Sequence, residues 1–263
     1  MEFLHMINPY YALSGLIVGL LVGVTGVGGG SLMTPLLVLL FKFHPATAVG
    51  TDLLYAAISK SGGTLIHGMR KTIDWRITGL LAAGSVPATA FCIGLLAHYD
   101  RHSIGTSGMI TTILGGALMF TALVLLYRSR ILTWCHRNLP PASDRTVAIL
   151  TVVSGALLGI MVSLSSVGAG AVGVTMLVIL YPKVPVSRLV GTDIAHSVPL
   201  AFIAGMGHWV LGDINVPLLL SLLVGSLPGI MIGSYYVVHL PERLLRQIMA
   251  VTLILVAGRL VWK

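Results

Sequence analysis

Three ionisable side chains stand inside otherwise apolar stretches of the sequence. Asp52 and Asp193 each close a run Val-Gly-Thr-Asp, and Lys60 follows Asp52 in the same apolar segment. A charged side chain in such a segment is costly unless it is partnered or hydrated. The carboxylates could be protonatable coupling groups, or they could accept hydrogen bonds and fix the backbone; their presence in both runs favours the structural role. Lys60 could pair with either carboxylate or face a bound anion.

Two glycine clusters form the second group of candidates. They are Gly-Val-Gly-Gly-Gly at 26–30 and Gly-Ala-Gly at 168–170, and hydroxyl side chains flank both. Such clusters could simply allow close helix packing, but glycine also has poor helix propensity, so we expect a helix break at each. A helix that restarts near Ser31 or Ala171 would direct free N–H groups and its positive dipole end at the break. That suits an anion, whereas the carbonyls before the break would suit a cation. The candidate substrate-binding residues are Gly28, Gly29, Gly30, Ser31, Lys60, Ser165, Ser166, Gly168 and Gly170.

Histidines and threonines near the carboxylates complete the candidate set. His196 lies three residues after Asp193 and could approach the same helical face. It could relay protons or make a structural hydrogen bond, and the sequence favours the hydrogen bond. His67 and His208 occupy equivalent segment ends and are expected at the membrane interface. The candidates for a coupling or structural role are Asp52, Asp193, His196, Thr51 and Thr192.

Sequence patterns typical of catalysis, metal binding and nucleotide binding are missing. No serine lies in a Gly-x-Ser-x-Gly setting, the histidines lack metal-ligand spacing, and Cys92 and Cys135 do not form a paired motif. The glycine runs lack the Gly-Lys-Ser/Thr ending of a phosphate-binding loop. We therefore predict that the chain is not an enzyme, has no catalytic or metal-binding residues and needs no cofactor.

The composition places these residues in a membrane. Hydrophobic residues make up 56% of the 263 positions, and charged residues make up 9%, against roughly 25% in an ordinary soluble domain. The mean hydropathy is +0.96, and the apolar runs are long enough to cross a hydrocarbon core of about 30 Å. The net charge of +8 comes from single basic residues at the ends of apolar segments. This pattern indicates membrane topology rather than nucleic-acid binding.

The chain is an internal duplication. Several glycines recur 140 positions later, and the run Val-Gly-Thr-Asp recurs 141 positions later. So many matches in one order indicate a true repeat. The matching elements are Gly15 with Gly155, Gly19 with Gly159, Gly28 with Gly168, 49–52 with 190–193, His67 with His208, and 84–87 with 225–228.

The first apolar segment of each repeat is too long for a single crossing. Residues 11–41 would form a straight helix of about 46 Å, and 146–181 one of about 54 Å. A re-entrant hairpin that enters and leaves on one side explains both the length and the break. It leaves three crossings in each repeat, so the halves become inverted. The predicted fold is an all-α integral membrane protein, a helical bundle of two inverted repeats, each with a broken or re-entrant first segment plus three transmembrane helices.

Basic residues favour this arrangement. With the hairpins, eleven Lys and Arg residues lie on one side and four on the other, whereas eight plain crossings divide them nine to six. Positive charge favours the cytoplasm, so both termini are predicted on the outer side. The predicted organisation is a first repeat at 1–127, a cytoplasmic connection at 128–145 and a second repeat at 146–263, within a single transmembrane domain.

These motifs resemble those of the sulfite exporter TauE/SafE family, also called four-segment toggle transporters. The resemblance rests on Gly-Val-Gly-Gly-Gly-Ser at 26–31, Ala-Val-Gly-Thr-Asp at 48–52 and Val-Gly-Thr-Asp at 190–193, and with the duplication it covers almost the whole chain. It implies a secondary transporter, often an exporter, of sulfur-containing anions such as sulfite, sulfonates or thiosulfate in a prokaryotic inner membrane. The second half carries Ala169 and Ala171 where the first has glycine and serine. Unequal ligand contributions from the two halves are therefore expected.

The residues and the resemblance together predict a secondary transporter of a small, sulfur-containing anion in the inner membrane. Its substrate would lie in a mid-membrane cavity lined by the glycine-rich breaks. Export coupled to an ion gradient is expected, with protons favoured over sodium because carboxylates and His196 are present. A passive anion channel is the alternative, and accumulation against a gradient would separate the two. The expected partners are the lipid bilayer, the anion and protons, with no nucleic acid, and an oligomer is left open.

Overall fold

The fold consists of α-helices throughout the part of the chain that is described. A computed structural model describes residues 7–25, 30–98, 104–138, 143–236 and 242–261. Short connections separate helices of ten to 35 residues. The helices are α1 (Pro9–Thr25), α2 (Gly30–Leu39), α3 (Pro45–Met69), α4 (Trp75–His98), α5 (Ile104–Asn138), α6 (Asp144–Ser165), α7 (Ala171–Leu180), α8 (Val186–Val210), α9 (Val216–Tyr236) and α10 (Glu242–Val261).

Five helices of the described ranges are long and apolar enough to cross a membrane. The five helices with such a span are α4, α5, α6, α8 and α9. Large apolar side chains such as Phe91, Met231 and Leu255 point outward and are exposed. In a soluble protein this apolar surface would be in contact with water, which is unfavourable, whereas in a membrane the bilayer covers it. The chain is therefore a multi-pass membrane protein.

The first apolar segment of each half is broken into two helices. In the second half, α6 ends at Ser165 and α7 begins at Ala171, where the sequence predicts the restart. In the first half, α1 ends at Thr25 and α2 begins at Gly30. Residues 26–29, which carry most of the first glycine cluster, lie outside the described residues.

Each broken segment folds back on itself. The rings of Tyr11, near the start of α1, and Phe41, after the end of α2, pack edge to face with centroids 4.9 Å apart. In the second half, Thr151 Oγ1 of α6 and the Tyr181 hydroxyl after α7 are 2.8 Å apart. The two ends of each segment thus lie together, and the two helices of each segment form a hairpin.

The first helix of each hairpin packs against a helix of the other half. A Cβ atom added to Gly15 of α1 would overlap the Leu222 carbonyl of α9, and one added to Gly225 would overlap the Ala12 carbonyl. Small residues allow such close backbone contact inside membranes. The equivalent pair in the repeat, α4 and α6, has the same contacts. The two halves are therefore interlocked by two matching pairs of parallel helices.

Helices α3 and α8, which carry the repeated Asp motif, cross the centre of the bundle side by side. Gly50 lies beside His208, Gly205 beside Leu54, and Gly63 within 3.6 Å of Ile194. Residue numbers rise along one helix as they fall along the other, so these two equivalent helices run antiparallel. Buried leucines around them form a core cluster, which includes Leu53, Leu158, Leu177, Leu189 and Leu200.

Two equivalent hydrogen bonds hold α3 and α8 to the loops of the opposite half. The backbone N–H of Asp74 donates to Thr192 Oγ1 at 2.9 Å, and the N–H of Asn215 donates to Thr51 Oγ1 at 3.1 Å. Both threonines are fully buried. A buried N–H without a partner costs about 1–3 kcal/mol, so these hydroxyls fix the two loops at the ends of the helix pair.

Candidate functional site

The second helix break brings an irregular backbone into the interior of the bundle. Ser166 lies in the left-handed region at φ 58°, and Gly168 and Gly170 have φ values of 122° and 104°. Glycine adopts such angles without strain, whereas other residues rarely do. No side chain caps the first turn of α7. Backbone that leaves a helix inside a membrane must be buried in protein or line an aqueous cavity.

The two serines at this break have different surroundings. Ser165 Oγ donates to the Met161 carbonyl at 2.6 Å and accepts from the Val167 N–H at 3.2 Å, so it closes the end of α6. Ser166 Oγ is buried and has no partner in the described part of the chain. Of the two predicted ligand serines, Ser166 is therefore the one whose hydroxyl does not take part in closing the end of α6.

Asp52 of α3 reaches this break from the other half of the protein. Its side chain is fully buried, and one carboxylate oxygen accepts a hydrogen bond from Thr34 Oγ1 of α2. Ser166 lies beside it, but the geometry falls short of a hydrogen bond and the second carboxylate oxygen has no partner among the described residues. Asp52 thus connects the returning helix of the first hairpin with the tip of the second.

Asp193 of α8 lies against the start of α7. The side chain is 1% exposed, and a Cβ atom added to Gly173 would overlap its Oδ1 atom. The Gly170 N–H points toward the carboxylate. Neither oxygen has a hydrogen-bond partner within the described ranges. Asp193 is therefore a buried carboxylate at the N-terminus of α7, with the Gly170 N–H directed at it.

Lys60 lies on α3 between the two carboxylates. It interacts electrostatically with both Asp193 and Asp52. The ion pairs of the described residues are Arg188 with Asp74 at 3.8 Å and His208 with Asp213 at 3.0 Å, and neither includes Lys60. The ammonium group is thus near two carboxylates and forms an ion pair with neither.

His196 belongs to a second pair of equivalent contacts around this cluster. Its Nε2 atom lies 2.8 Å from Ser85 Oγ of α4, and its Nδ1 atom is buried without a partner in the described chain. In the other half, Tyr55 occupies the equivalent position and faces Ser226. Sequence reasoning missed the two serines and Thr34 as site residues, although the repeated Gly-Ser-x-Pro pattern contained the signal for the serines.

His208 differs from the expectation of an interfacial position. It is 2% exposed, because its Nδ1 atom lies 3.0 Å from Asp213 Oδ2 and its Nε2 atom 3.0 Å from the Ser163 carbonyl. The equivalent His67 is half-buried and bonds Thr72 Oγ1 at 2.8 Å. The end of α8 therefore packs inside the protein, against the hairpin of the same half.

Part of the predicted ligand set cannot be placed. Gly28 and Gly29 lie outside the described residues, Gly30 begins α2, and the side chain of Ser31 is not described. The site as described is formed by α3, α8 and the second hairpin, with α2 contributing Thr34.

The bundle of apolar helices with a broken hairpin and buried ionisable groups defines a polytopic membrane protein with a polar centre. A family model described as sulfite exporter TauE/SafE matches residues 11–260. The chain therefore belongs to the sulfite exporter TauE/SafE family, whose members are membrane transporters rather than enzymes.

Individual relatives match over most of their length. The probable membrane transporter protein YjnA of Bacillus subtilis is 38% identical, over 94% of this chain and 96% of the relative. The probable membrane transporter protein YdhB of the same organism is 25% identical over 90% and 93%. The probable membrane transporter protein MJ0441 of Methanocaldococcus jannaschii is 26% identical over 78% and 73%. No solved structure matches the chain at a significant level.

Proposed function

We propose that the chain is a secondary transporter that exports a small, sulfur-containing anion of the sulfite, sulfonate or thiosulfate type across the inner membrane. The anion binds in a mid-membrane cavity lined by the glycine-rich helix breaks, and the transport is coupled to a proton gradient. The observation that carries the proposal is that Lys60 and the start of α7 are both neighbours of Asp193.

The site chemistry supports an anionic substrate. Lys60 supplies a positive charge without a direct carboxylate contact, Ser166 supplies a hydroxyl beside Asp52, and the start of α7 brings the positive end of its helix dipole to the same region. Ammonium, hydroxyl and helix N-terminus are the donors that oxyanions prefer. A sulfur oxyanion or sulfonate presents several acceptor oxygens that such donors can hold together.

The helix directions support an inverted repeat. The equivalent helices α3 and α8 lie antiparallel in the centre of the bundle. Two equivalent membrane-crossing helices that run in opposite directions imply that the two halves have opposite orientations. Inverted repeats with broken helices at the repeat interface are a recurrent plan of carriers that alternate access to a central site. With positive charge on the inside, both termini lie on the outer side.

Reconstitution into liposomes tests this function. We expect flux of sulfite, thiosulfate or sulfoacetate that depends on the protein, and accumulation against the anion gradient when a pH difference is imposed. Flux that only equalises the anion under every gradient would indicate a passive anion channel. Absence of flux for these anions would contradict the proposal.

Lys60→Ala provides the first variant for this assay. The loss of the ammonium leaves the anion facing Asp52 and Asp193 without a compensating charge, so we expect transport to fall at least about a hundredfold, corresponding to about 3 kcal/mol. Membrane insertion and yield should be unchanged. Lys183→Ala removes a charge from an exposed loop and serves as the matched control. Normal transport by Lys60→Ala would remove Lys60 from the site.

A further inference from the structure

The two buried aspartates are equivalent in sequence but not in bonding. Thr34 donates to one oxygen of Asp52, whereas both oxygens of Asp193 lack a partner in the described part of the chain. A buried carboxylate that stays ionised requires hydrogen bonds or a close positive charge. Asp52 accepts a hydrogen bond from Thr34 of α2, whereas the Gly170 N–H at the start of α7 and the longer-range charge of Lys60 face Asp193. Asp193 is therefore the carboxylate that shares its surroundings with the donors of the proposed anion site.

The groups that face Asp193 come from several helices. On α3, Lys60 interacts with it electrostatically. α7 carries no ionisable side chain, and those of α6 stand at its first turn, far along the helix from the break. The remaining titratable side chains on helices packed against α8 are Asp52, Tyr55 and His67 of α3, Arg76, Cys92 and His98 of α4, and Arg188, His196 and His208 of α8 itself.

Asp193 and a bound anion would share one positive charge. The ammonium of Lys60 acts on Asp193, and the same ammonium is the cation that the proposed anion site offers. An ionised Asp193 therefore repels the anion and draws on its counter-charge, while a protonated Asp193 does neither. By reciprocity, the anion must raise the affinity of Asp193 for a proton by the same factor.

We propose that Asp193 is the proton-binding carboxylate of the transport cycle and that it competes with the anion for Lys60, so that one anion and one proton bind and travel together. This inference rests on the function proposed above. The proton comes from water on the loading side and returns to water on the releasing side. A dianion carried out with one proton moves one negative charge outward, so the inside-negative membrane potential favours its export, whereas a pH difference with the outside more acidic opposes it. Asp52 is not assigned this role, because its carboxylate lies at Thr34 of α2 and not at the start of α7, where Asp193 lies.

Proton counting on the wild-type protein tests the competition. The probe is thiosulfate, whose own charge is constant around neutral pH, added to protein in lipid nanodiscs in buffers of different protonation enthalpy. We expect net uptake that reaches at most about one proton per bound thiosulfate. The apparent affinity should fall by up to about tenfold for each pH unit through the alkaline limb. Proton release, or no uptake at any pH, would overturn the inference.

Matched aspartate variants test the assignment. Asp193→Asn should bind thiosulfate with no proton uptake and with an affinity that no longer depends on pH, and it should still exchange thiosulfate across liposomes without a pH difference. Asp52→Asn should retain the proton uptake of the wild type. The reverse pattern would assign the proton to Asp52 and overturn the proposal.

The outcomes separate this inference from the function on which it rests. Wild-type protein that neither binds nor transports thiosulfate, sulfite or sulfoacetate contradicts the proposed function. Wild-type protein that transports them without taking up a proton contradicts the proton coupling and the role of Asp193, but leaves the anion transport of the proposed function intact. If Asp193→Asn fails to fold, the wild-type proton count still decides the sign of the coupling.

Discussion

The carboxylates of the two halves provide the most informative comparison within the molecule. Asp52 and Asp193 close the same four-residue run and lie at equivalent places on antiparallel helices, yet Thr34 binds the first and nothing in the described chain binds the second. Lys60 adds to the asymmetry, because Ala201 occupies its place in the second half. A duplicated scaffold can thus retain a residue in both halves while its two copies have different contacts.

The threonines of the same motif show the opposite behaviour. Thr51 and Thr192 make equivalent hydrogen bonds to the loops of the opposite halves. These two threonines therefore have the same structural role in both halves. The difference between the two carboxylates lies at the centre, around Lys60 and the second hairpin.

Two substitutions test the difference between Asp52 and Asp193, and the one at Gly173 should have the larger effect. The added Cβ atom of Gly173→Ala would overlap Asp193 Oδ1 and push the carboxylate from the start of α7. Overpacking of this kind costs about 1–3 kcal/mol, so we expect transport in liposomes to fall about tenfold or more with insertion intact. Gly116→Ala, which faces open space, is the control. Wild-type flux from Gly173→Ala would contradict the position assigned to Asp193.

A smaller effect is expected from the threonine that binds Asp52. Thr34→Val removes the donor to a buried carboxylate and should destabilise the protein by about 1–3 kcal/mol, seen as a lower Tm in detergent. Thr175, 141 positions later, donates to the Ala171 carbonyl of its own helix at 2.7 Å. Thr175→Val should therefore cost less. Equal losses in the two variants would mean that Asp52 and Asp193 do not differ as described.

Much of the framework could be predicted from the sequence because it depends on local rules. The glycine cluster at 168–170 breaks the helix, and α7 restarts at the predicted Ala171. The excessive length of 146–181 predicted a hairpin, and the contact between Thr151 and Tyr181 closes one. Poor helix propensity and a fixed bilayer thickness act on single segments, so the sequence of each segment was sufficient.

Contacts between distant segments could not be predicted in the same way. The small residues Gly15 and Gly19 indicate that another helix packs closely against α1, but they do not identify that helix. In the structure it is α9 of the other half. The burial of His208 depends on the Ser163 carbonyl of α6 and on Asp213 beyond the end of α8. The site also depends on contacts between distant segments, since Asp52 lies beside Ser166 only when both hairpins are packed.

The access of water to the tip of the second hairpin tests the central claim most directly. In protein with Cys92 and Cys135 replaced by alanine, Ser166→Cys in nanodiscs should react with a charged, membrane-impermeant maleimide, and sulfoacetate should slow the reaction. Ala122→Cys, fully buried in the contact of α5 with α10, should stay unlabelled. Labelling at 166 alone is the result that a wet anion site between the two halves predicts. An unreactive cysteine at 166 would show a dry helix contact there and would contradict the account.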